Sequence, residues 1–192
     1  MIDNETMRSI LTRRSHKMFD GRRIGDEELE TIITAGLYAP TGMNGQPWHF
    51  SIIRDKAVMD EIARAKASTP HPAPSGPTKA KPYDPYAAAG ITLEPMRNAP
   101  VLIIVSGKES HMTNFEDCCL ATENMLIAAS SMEIMGGWDH FIVLDLFKDG
   151  ANSGLKAKLI PDGYIPRCAI FLGYPLPVDR DRGERHGTVA YF

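Results

Sequence analysis

Residues 39–54 read APTGMNGQPWHFSIIR, a turn-rich loop that runs directly into a segment of aromatic and β-branched residues. Pro40, Pro47 and the Asn44-Gly45 pair restrict the loop to a fixed turn. The segment WHFSIIR, residues 48–54, is typical of a β-strand. The sequence therefore predicts a loop of one shape that ends in a strand. We call residues 39–48 the carboxamide loop, because Asn44 and Gln46 carry carboxamides.

The two carboxamides suit a ligand with alternating hydrogen-bond acceptors and donors. The pyrimidine edge of a flavin presents a carbonyl, an N–H and a second carbonyl, and a carboxamide has both a donor and an acceptor to pair with them. A helix end followed by a tight turn would also explain the glycines and prolines. That alternative leaves Asn44 and Gln46 unexplained, and both interpretations stay open on these residues alone.

Apolar periodicity outside the loop predicts an alternation of helices and strands. The predicted helices are one containing Met7, Ile10 and Leu11, one over residues 26–37, one over 56–66, one over 114–135 ended by Gly136 and Gly137, and one over 144–159. The predicted buried strands are residues 101–105 and 168–172. Because there is no strict βαβ order, we expect an α+β layered sheet rather than a doubly wound one.

Length and composition exclude several classes of protein. A chain of 192 residues with 43% apolar residues fits one domain over residues 1–192. The net charge of −3, with the charges spread along the chain, predicts no nucleic-acid or membrane partner. The N-terminus lacks the pattern of a signal peptide, and the three cysteines, Cys118, Cys119 and Cys168, do not form a disulfide framework. We therefore expect a cytoplasmic protein.

A second candidate site lies at residues 13–17, which we call the basic segment. If the backbone is extended past the first helix, Arg13, Ser15 and Lys17 lie on one side with a period of two. A guanidinium, a hydroxyl and an ammonium together suit a phosphate monoester. A basic helix C-terminus that complements the helix dipole is the commoner explanation of such a cluster.

Residues 68–89 read STPHPAPSGPTKAKPYDPYAAA, and their prolines exclude a regular strand. The segment is longer than most structureless loops. We expect an insertion or lid, in which Lys79, Lys81, Tyr83 and Tyr86 could bind an acceptor or only pack. A disordered surface insertion is an equal alternative.

The order and spacing of these motifs resemble the nitroreductase family. R-R-S-x-K at residues 13–17 is followed by P-T-x-x-N-x-Q-P-W at residues 40–48, as in that family. Further similarities are Asn98-Ala99-Pro100, Asp117 with the Ala-rich run through Asn124 and Ala129, Pro161-Asp162-Gly163-Tyr164, and Leu172-Gly173-Tyr174-Pro175. The resemblance implies a three-layer fold, with a central mostly antiparallel sheet flanked by helices, and a domain-swapped type of homodimer that holds FMN at its interface.

The same resemblance implies the cofactor contacts. Arg13, Ser15 and Lys17, with Arg14 beside them, would contact the ribityl phosphate. Pro40, Thr41, Asn44 and Gln46 would line the isoalloxazine, Asn44 and Gln46 being given to the partner's site. Pro161, Asp162 and Gly163 would place backbone groups near the flavin N5, with Asp162 where the family commonly has Glu. Arg180 and Arg182 would close on the phosphate, although Arg185 could serve instead, or all three could form an exposed tail.

The implied activity is hydride transfer from NAD(P)H through FMN to a nitroaromatic, a quinone or a similar small acceptor, by a ping-pong mechanism. Lys17 is the candidate to stabilise the flavin anion, and no other catalytic residue is expected. Alternatives are an FMN-binding sensor or storage module without turnover, or a specialised branch such as a reductive dehalogenase or a flavin-degrading enzyme. The sequence contains no G-x-G-x-x-G fingerprint, no Walker loop and no C-x-x-C or H-E-x-x-H metal-ligand motif.

Overall fold

Four antiparallel strands form the sheet at the centre of the computed structural model, which describes residues 2–70, 85–177 and 185–192. Their spatial order is β1 (Trp48–Ile53), β2 (Val101–Lys108), β4 (Tyr164–Gly173) and β3 (Met135–Trp138). The two central strands are buried over residues 101–107 of β2 and 168–173 of β4, which explains the continuous apolar runs at 101–105 and 168–172.

Helices cover both faces of this sheet. Their bounds are α1 (Glu5–Thr12), α2 (Asp26–Leu37), α3 (Lys56–Ser68), α4 (Pro85–Ala88), α5 (Asn114–Ser131), α6 (His140–Leu144) and α7 (Ser153–Leu159). Among the described residues, none of these helices is long and apolar enough to span a membrane.

Alternation along β2 divides the core into two apolar layers. Val101, Ile103 and Val105 pack with residues of α2 and α5 on one face of the sheet. Leu102 and Ile104 pack with residues of α3, α6 and α7 on the other face. Successive strand residues point to opposite faces, so one strand can serve both layers. The α+β, three-layer fold with an antiparallel sheet is therefore confirmed.

Several predicted elements match the observed ones closely. The helix over residues 26–37 is α2, and the Glu28 carboxylate, which accepts from the Gly25 N–H at 2.7 Å as in one half of a capping box, fixes where it begins. The helix predicted over residues 56–66 extends to Ser68, and the strand predicted over 168–172 begins earlier, at Tyr164.

The prediction of one helix over residues 114–135 was wrong at its end. Helix α5 stops at Ser131, Glu133 adopts a positive φ of 61°, and Gly136 and Gly137 lie inside strand β3. A Cβ at Gly136 would lie 2.1 Å from Leu126 Cδ2, and one at Gly137 would lie 2.2 Å from the His16 carbonyl oxygen. The two glycines are therefore needed for close packing of β3, not for ending a helix.

The prediction of one helix over residues 144–159 was also wrong. The segment divides into the end of α6, a short 3-10 turn at Lys148–Gly150, and α7. Asp149, Gly150 and Asn152 all have positive φ angles, of 51°, 80° and 51°. A right-handed helix cannot continue through left-handed residues, which explains the division.

Candidate functional site

The basic segment leaves α1 at Arg13 and runs in extended conformation beside β3. Ser15 forms a parallel bridge with Gly136, and the His16 N–H donates to the Gly136 carbonyl at 3.0 Å. His16 is buried, whereas Ser15 and Lys17 are exposed on the opposite side. This is the alternation that the sequence predicts. Arg13 is half-buried, and its Nε lies 3.6 Å from Glu123 Oε1, which offsets part of its charge.

Tyr86 fixes the far end of the basic segment. The hydroxyl of Tyr86, in α4, accepts a hydrogen bond from the Lys17 N–H at 2.8 Å, and its side chain is completely buried. Of the two roles expected for Tyr86, packing is the one observed. Lys79, Lys81 and Tyr83 lie outside the described residues, and so does most of the predicted lid.

The carboxamide loop is held in an unusual backbone conformation. Met43, Asn44 and Gln46 have positive φ angles of 53°, 56° and 44°. Left-handed backbone is costly for residues with a Cβ and persists where the surroundings enforce it. The Gln46 N–H donates to Thr41 Oγ1 at 3.2 Å, and Gln46 Nε2 donates to Asn44 Oδ1 at 3.0 Å. Both carboxamides are exposed, and they are presented together.

The first turn of α5 and the residues just before it support this loop. The Asp117 carboxylate is buried and accepts from the Gly42 N–H at 3.1 Å and from the Thr113 hydroxyl at 2.8 Å. A Cβ at Gly45 would lie 2.1 Å from His111 Nε2, so the loop rests directly on that ring. His111, Thr113 and Asp117 were not predicted as site residues. Asp117 was noted only as part of the family resemblance, in the acidic first turn of the helix, and no role was predicted for it.

Residues 161–163 form a turn close to the carboxamide loop. The Tyr164 N–H donates to the Pro161 carbonyl at 3.2 Å, and Gly163 has a φ of 78°. The end of β2 and the residue after it join the two features, because the Lys108 N–H donates to the Pro47 carbonyl and the Glu109 N–H donates to the Gly163 carbonyl, both at 2.8 Å. Pro161, Asp162 and Gly163 are exposed.

The basic segment lies at the other end of the sheet. The basic segment pairs with Gly136, and Gly136 is paired with Leu172 near the end of β4. The carboxamide loop lies beside Lys108, and Lys108 is paired with Tyr164 at the start of β4. The strand between Tyr164 and Leu172 spans about 26 Å at the usual rise per residue. Within one chain, therefore, the structure does not bring Arg13, Ser15 and Lys17 together with Asn44, Gln46 or Gly163.

A cavity of about 510 Å³ opens at the end of the sheet where the basic segment lies. It is lined by Trp138, which directly follows the Gly137 that packs on His16, and by Lys66, Asp139 and Phe141. Lys66 Nζ is 2.5 Å from Asp139 Oδ2, and both side chains are nearly buried. Burial lowers the pKa of Lys66, although the neighbouring Asp139 opposes this shift.

Of the three candidate C-terminal arginines, one is described by the structure. Arg180 and Arg182 lie outside the described residues. Arg185 is exposed at the start of the final described stretch, residues 185–192.

Comparison with known proteins gives one consistent result. A relative from Archaeoglobus fulgidus, named provisionally as an NADH dehydrogenase/NAD(P)H nitroreductase, is 28% identical over 176 residues, covering 89% of this chain and 86% of its own. A nitroreductase with bound FMN from Bacteroides fragilis superposes with a TM-score of 0.78 at 25% identity, covering 99% of this chain and 100% of its own. A second, from Desulfitobacterium hafniense, also with bound FMN, superposes with a TM-score of 0.80 at 24% identity over the full length of both chains. The sequence profile of the Nitroreductase family matches residues 10–174, and the chain belongs to that family.

Proposed function

We propose that this protein is an FMN-dependent oxidoreductase that takes electrons from NADH or NADPH and reduces a small acceptor such as a nitroaromatic compound or a quinone. One observation supports this above the others. The chain exposes the hydroxyl of Ser15 and the ammonium of Lys17 at one end of its sheet, and the carboxamides of Asn44 and Gln46 at the other. Each surface suits one end of FMN, and a second copy of the chain would bring the two together.

The basic segment fits the phosphate of FMN. Ser15 and Lys17 are exposed on one side of an extended backbone that is fixed by Gly136 and Tyr86. A hydroxyl and an ammonium, with the half-buried Arg13 next to them, supply the donors and the positive charge that a phosphate monoester requires. Arg14 is half-buried in the same segment and is the fourth candidate contact.

The carboxamide loop fits the flavin ring. Because Gln46 Nε2 donates to Asn44 Oδ1, the Asn44 amide still offers N–H donors and the Gln46 carbonyl still offers an acceptor. This alternation matches the acceptor–donor–acceptor edge of a flavin. Pro40 and Thr41 are at the base of the same loop and would contact the ring system. Pro161, Asp162 and Gly163, in the turn next to the carboxamide loop, would contact the same flavin ring.

Exposed apolar side chains support a homodimer. They occur on α1, at the end of α2, in the carboxamide loop and around the start of α5, and they are Ile10, Leu11, Leu37, Tyr38, Met43, Met112, Phe115 and Leu120. Helix α5 contacts both α1 and α2, so these residues belong to neighbouring elements. Large exposed apolar patches mark interaction surfaces. A second copy would cover this surface and would complete the two halves of the cofactor site.

Bound FMN would supply the hydride-accepting chemistry, as cofactors generally do, while the protein binds, orients and sets the local charge. Lys17 holds a positive charge at the exposed face of the basic segment, where it would stabilise negative charge on the reduced flavin. The cavity lined by Trp138 and Phe141 has a volume in the range of small-ligand sites and is a candidate for the aromatic acceptor.

The Lys17→Met variant tests the charge. We expect weaker FMN binding and slower flavin reduction, because the variant keeps most of the length of the side chain and removes its charge. Lys148→Met, at an exposed lysine far from the basic segment in the sequence, is the matched control. An unchanged reduction rate in the flavin-loaded Lys17→Met protein would remove Lys17 from this role.

The function itself is tested by the absorbance spectrum of the purified protein under anaerobic conditions, before and after addition of NADH or NADPH. We expect a flavin spectrum that is bleached by the nicotinamide and restored by a quinone or a nitroaromatic compound. A protein that stays yellow on addition of either nicotinamide would be a flavin-binding module without turnover. A colourless protein that does not take up added FMN would contradict the proposal.

A further inference from the structure

The carboxamide loop has a conformation that its own residues do not favour. Met43 and Gln46 adopt left-handed backbone angles that such side chains seldom take, Asn44 between them is left-handed as asparagine more readily is, and Met43 is fully exposed. An exposed residue gains nothing from burial that could offset this strain. Contacts between the loop backbone and the rest of the protein must therefore hold the loop in place.

Asp117 makes such a contact from the first turn of α5. Its Oδ1 accepts from the Gly42 N–H, directly before the strained residues, and its Oδ2 accepts from the Thr113 hydroxyl. The side chain is 2% exposed, so these bonds form away from competing water. His111 Nδ1 lies 3.3 Å from Thr113 Oγ1 and 3.7 Å from Asp117 Oδ2, and its ring lies against Gly45. The carboxylate thus fixes both the loop and the groups on which the loop rests.

We propose that Asp117 is the positioning residue that sets the direction of Asn44 and Gln46 toward the flavin. This inference rests on the proposed function, because it assumes that the carboxamide loop contacts FMN. Asp117 would not touch the cofactor. It would act through Gly42, whose N–H is the link between the rigid helix and the strained part of the loop.

The variants Asp117→Ala and Asp117→Asn separate this role from a general effect on folding. Alanine removes both hydrogen bonds, and we expect roughly 10-fold to 100-fold weaker FMN binding, the factor that corresponds to the loss of a hydrogen bond to a charged group. Asparagine keeps an oxygen that can accept from the Gly42 N–H but loses the charge, so it should weaken FMN binding by less than about 10-fold and clearly less than alanine does. The flavin absorbance spectrum should shift with Asp117→Ala and not with Asp117→Asn.

Glu116→Gln is the matched control, since Glu116 is the neighbouring acidic residue in the first turn of α5 and is exposed. It also removes a negative charge from the helix N-terminus, but it should leave FMN affinity unchanged. If Asp117→Ala does not fold, Thr113→Val provides the second test. That variant keeps the shape of the side chain and removes one of the two bonds of the carboxylate, and we expect intermediate weakening.

Amide hydrogen exchange of residues 42–46 separates a failure of this inference from a failure of the proposed function. In Asp117→Ala we expect faster exchange in these residues, whether or not FMN is bound. Unchanged exchange and unchanged FMN affinity in Asp117→Ala would overturn the inference, and so would an Asp117→Asn protein as weak as Asp117→Ala. If the unchanged protein binds no FMN, the proposed function fails, and the exchange rates alone then decide whether Asp117 holds the loop.

Discussion

The ion pair between Lys66 and Asp139 gives the sharpest prediction about how the fold supports the site. Lys66 Nζ lies 2.5 Å from Asp139 Oδ2, with the two side chains 12% and 5% exposed. Lys66 also donates to the Pro95 carbonyl at 3.1 Å, and Asp139 Oδ1 accepts from the Ile142 N–H at 3.3 Å, which caps α6. The pair therefore joins α3 to the junction between β3 and α6, beside the Trp138 cavity.

The perturbation is Asp139→Asn, which keeps an oxygen to cap α6 and removes only the charge. An uncompensated buried charge costs about 3–5 kcal/mol. We expect a loss near the lower end, about 3 kcal/mol, because Lys66 keeps the Pro95 carbonyl and the faces of Phe141 and Phe171, 5.5 Å and 5.3 Å from its Nζ. Adding Lys66→Met to this variant removes the buried charge that has lost its partner. The free energy of unfolding of the double variant should return to within about 1 kcal/mol of that of the unchanged protein.

Urea unfolding followed by circular dichroism measures these differences, at one fixed protein concentration so that any effect of self-association on stability is the same for every variant. The single variant should also regain stability as the pH rises. Burial holds the pKa of Lys66 below its ordinary 10.5, so the unfolded chain binds more protons than the folded one between these two values, and stability increases with pH there. A cost below about 1 kcal/mol for Asp139→Asn, or a double variant no more stable than the single one, would refute this reasoning.

Two further predictions concern single residues. Gly137→Ala should lower the free energy of unfolding by more than about 2 kcal/mol, because its Cβ would lie 2.2 Å from the His16 carbonyl oxygen. Gly154→Ala, where the Cβ would have no atom within 4 Å, should leave stability unchanged or raise it. Equal melting temperatures for the two variants would contradict this prediction. Burial lowers the pKa of His49 below its ordinary 6.5, so its contribution to stability is complete above that pH and is lost as the pH falls through the lower, folded value. His49→Gln should therefore flatten the acid side of the stability profile, and the exposed His186→Gln should not; identical profiles would show that His49 does not contribute.

The apolar patterns predicted most of the fold because they follow from local geometry. Helix α2 shows a period near 3.6 and an acidic first turn, and β2 is a continuous apolar run; both lie where these patterns place them. Strand β3 was missed because Gly136 and Gly137 have no side chains to form a pattern. Their presence in a strand depends on contacts with Leu126 and with His16, which are distant in the sequence.

The candidate site was predicted only where its features follow from local sequence patterns. The alternation of exposed Ser15 and Lys17 with buried His16 is local, and the sequence shows it. The bond between Gly42 and Asp117 joins residues 75 positions apart, and no local pattern identifies it. The separation of the basic segment from the carboxamide loop depends on the order and register of the strands, which place Gly136 opposite Leu172 and Lys108 opposite Tyr164. The spacing of the two motifs along the sequence does not reveal this register.

Subunit complementation tests most directly whether the cofactor site is shared between two copies. One chain carries changes in the basic segment, Ser15→Ala and Lys17→Met, and the other carries changes in the carboxamide loop, Asn44→Ala and Gln46→Ala. Each variant alone should bind FMN poorly. If the site is shared, one of the two sites in the mixed dimer combines the intact basic segment of one chain with the intact loop of the other. That site is fully restored. The mixed dimer should therefore bind FMN at one site with the affinity of the unchanged protein. A mixed dimer that binds FMN no better than its two parents would contradict the shared site.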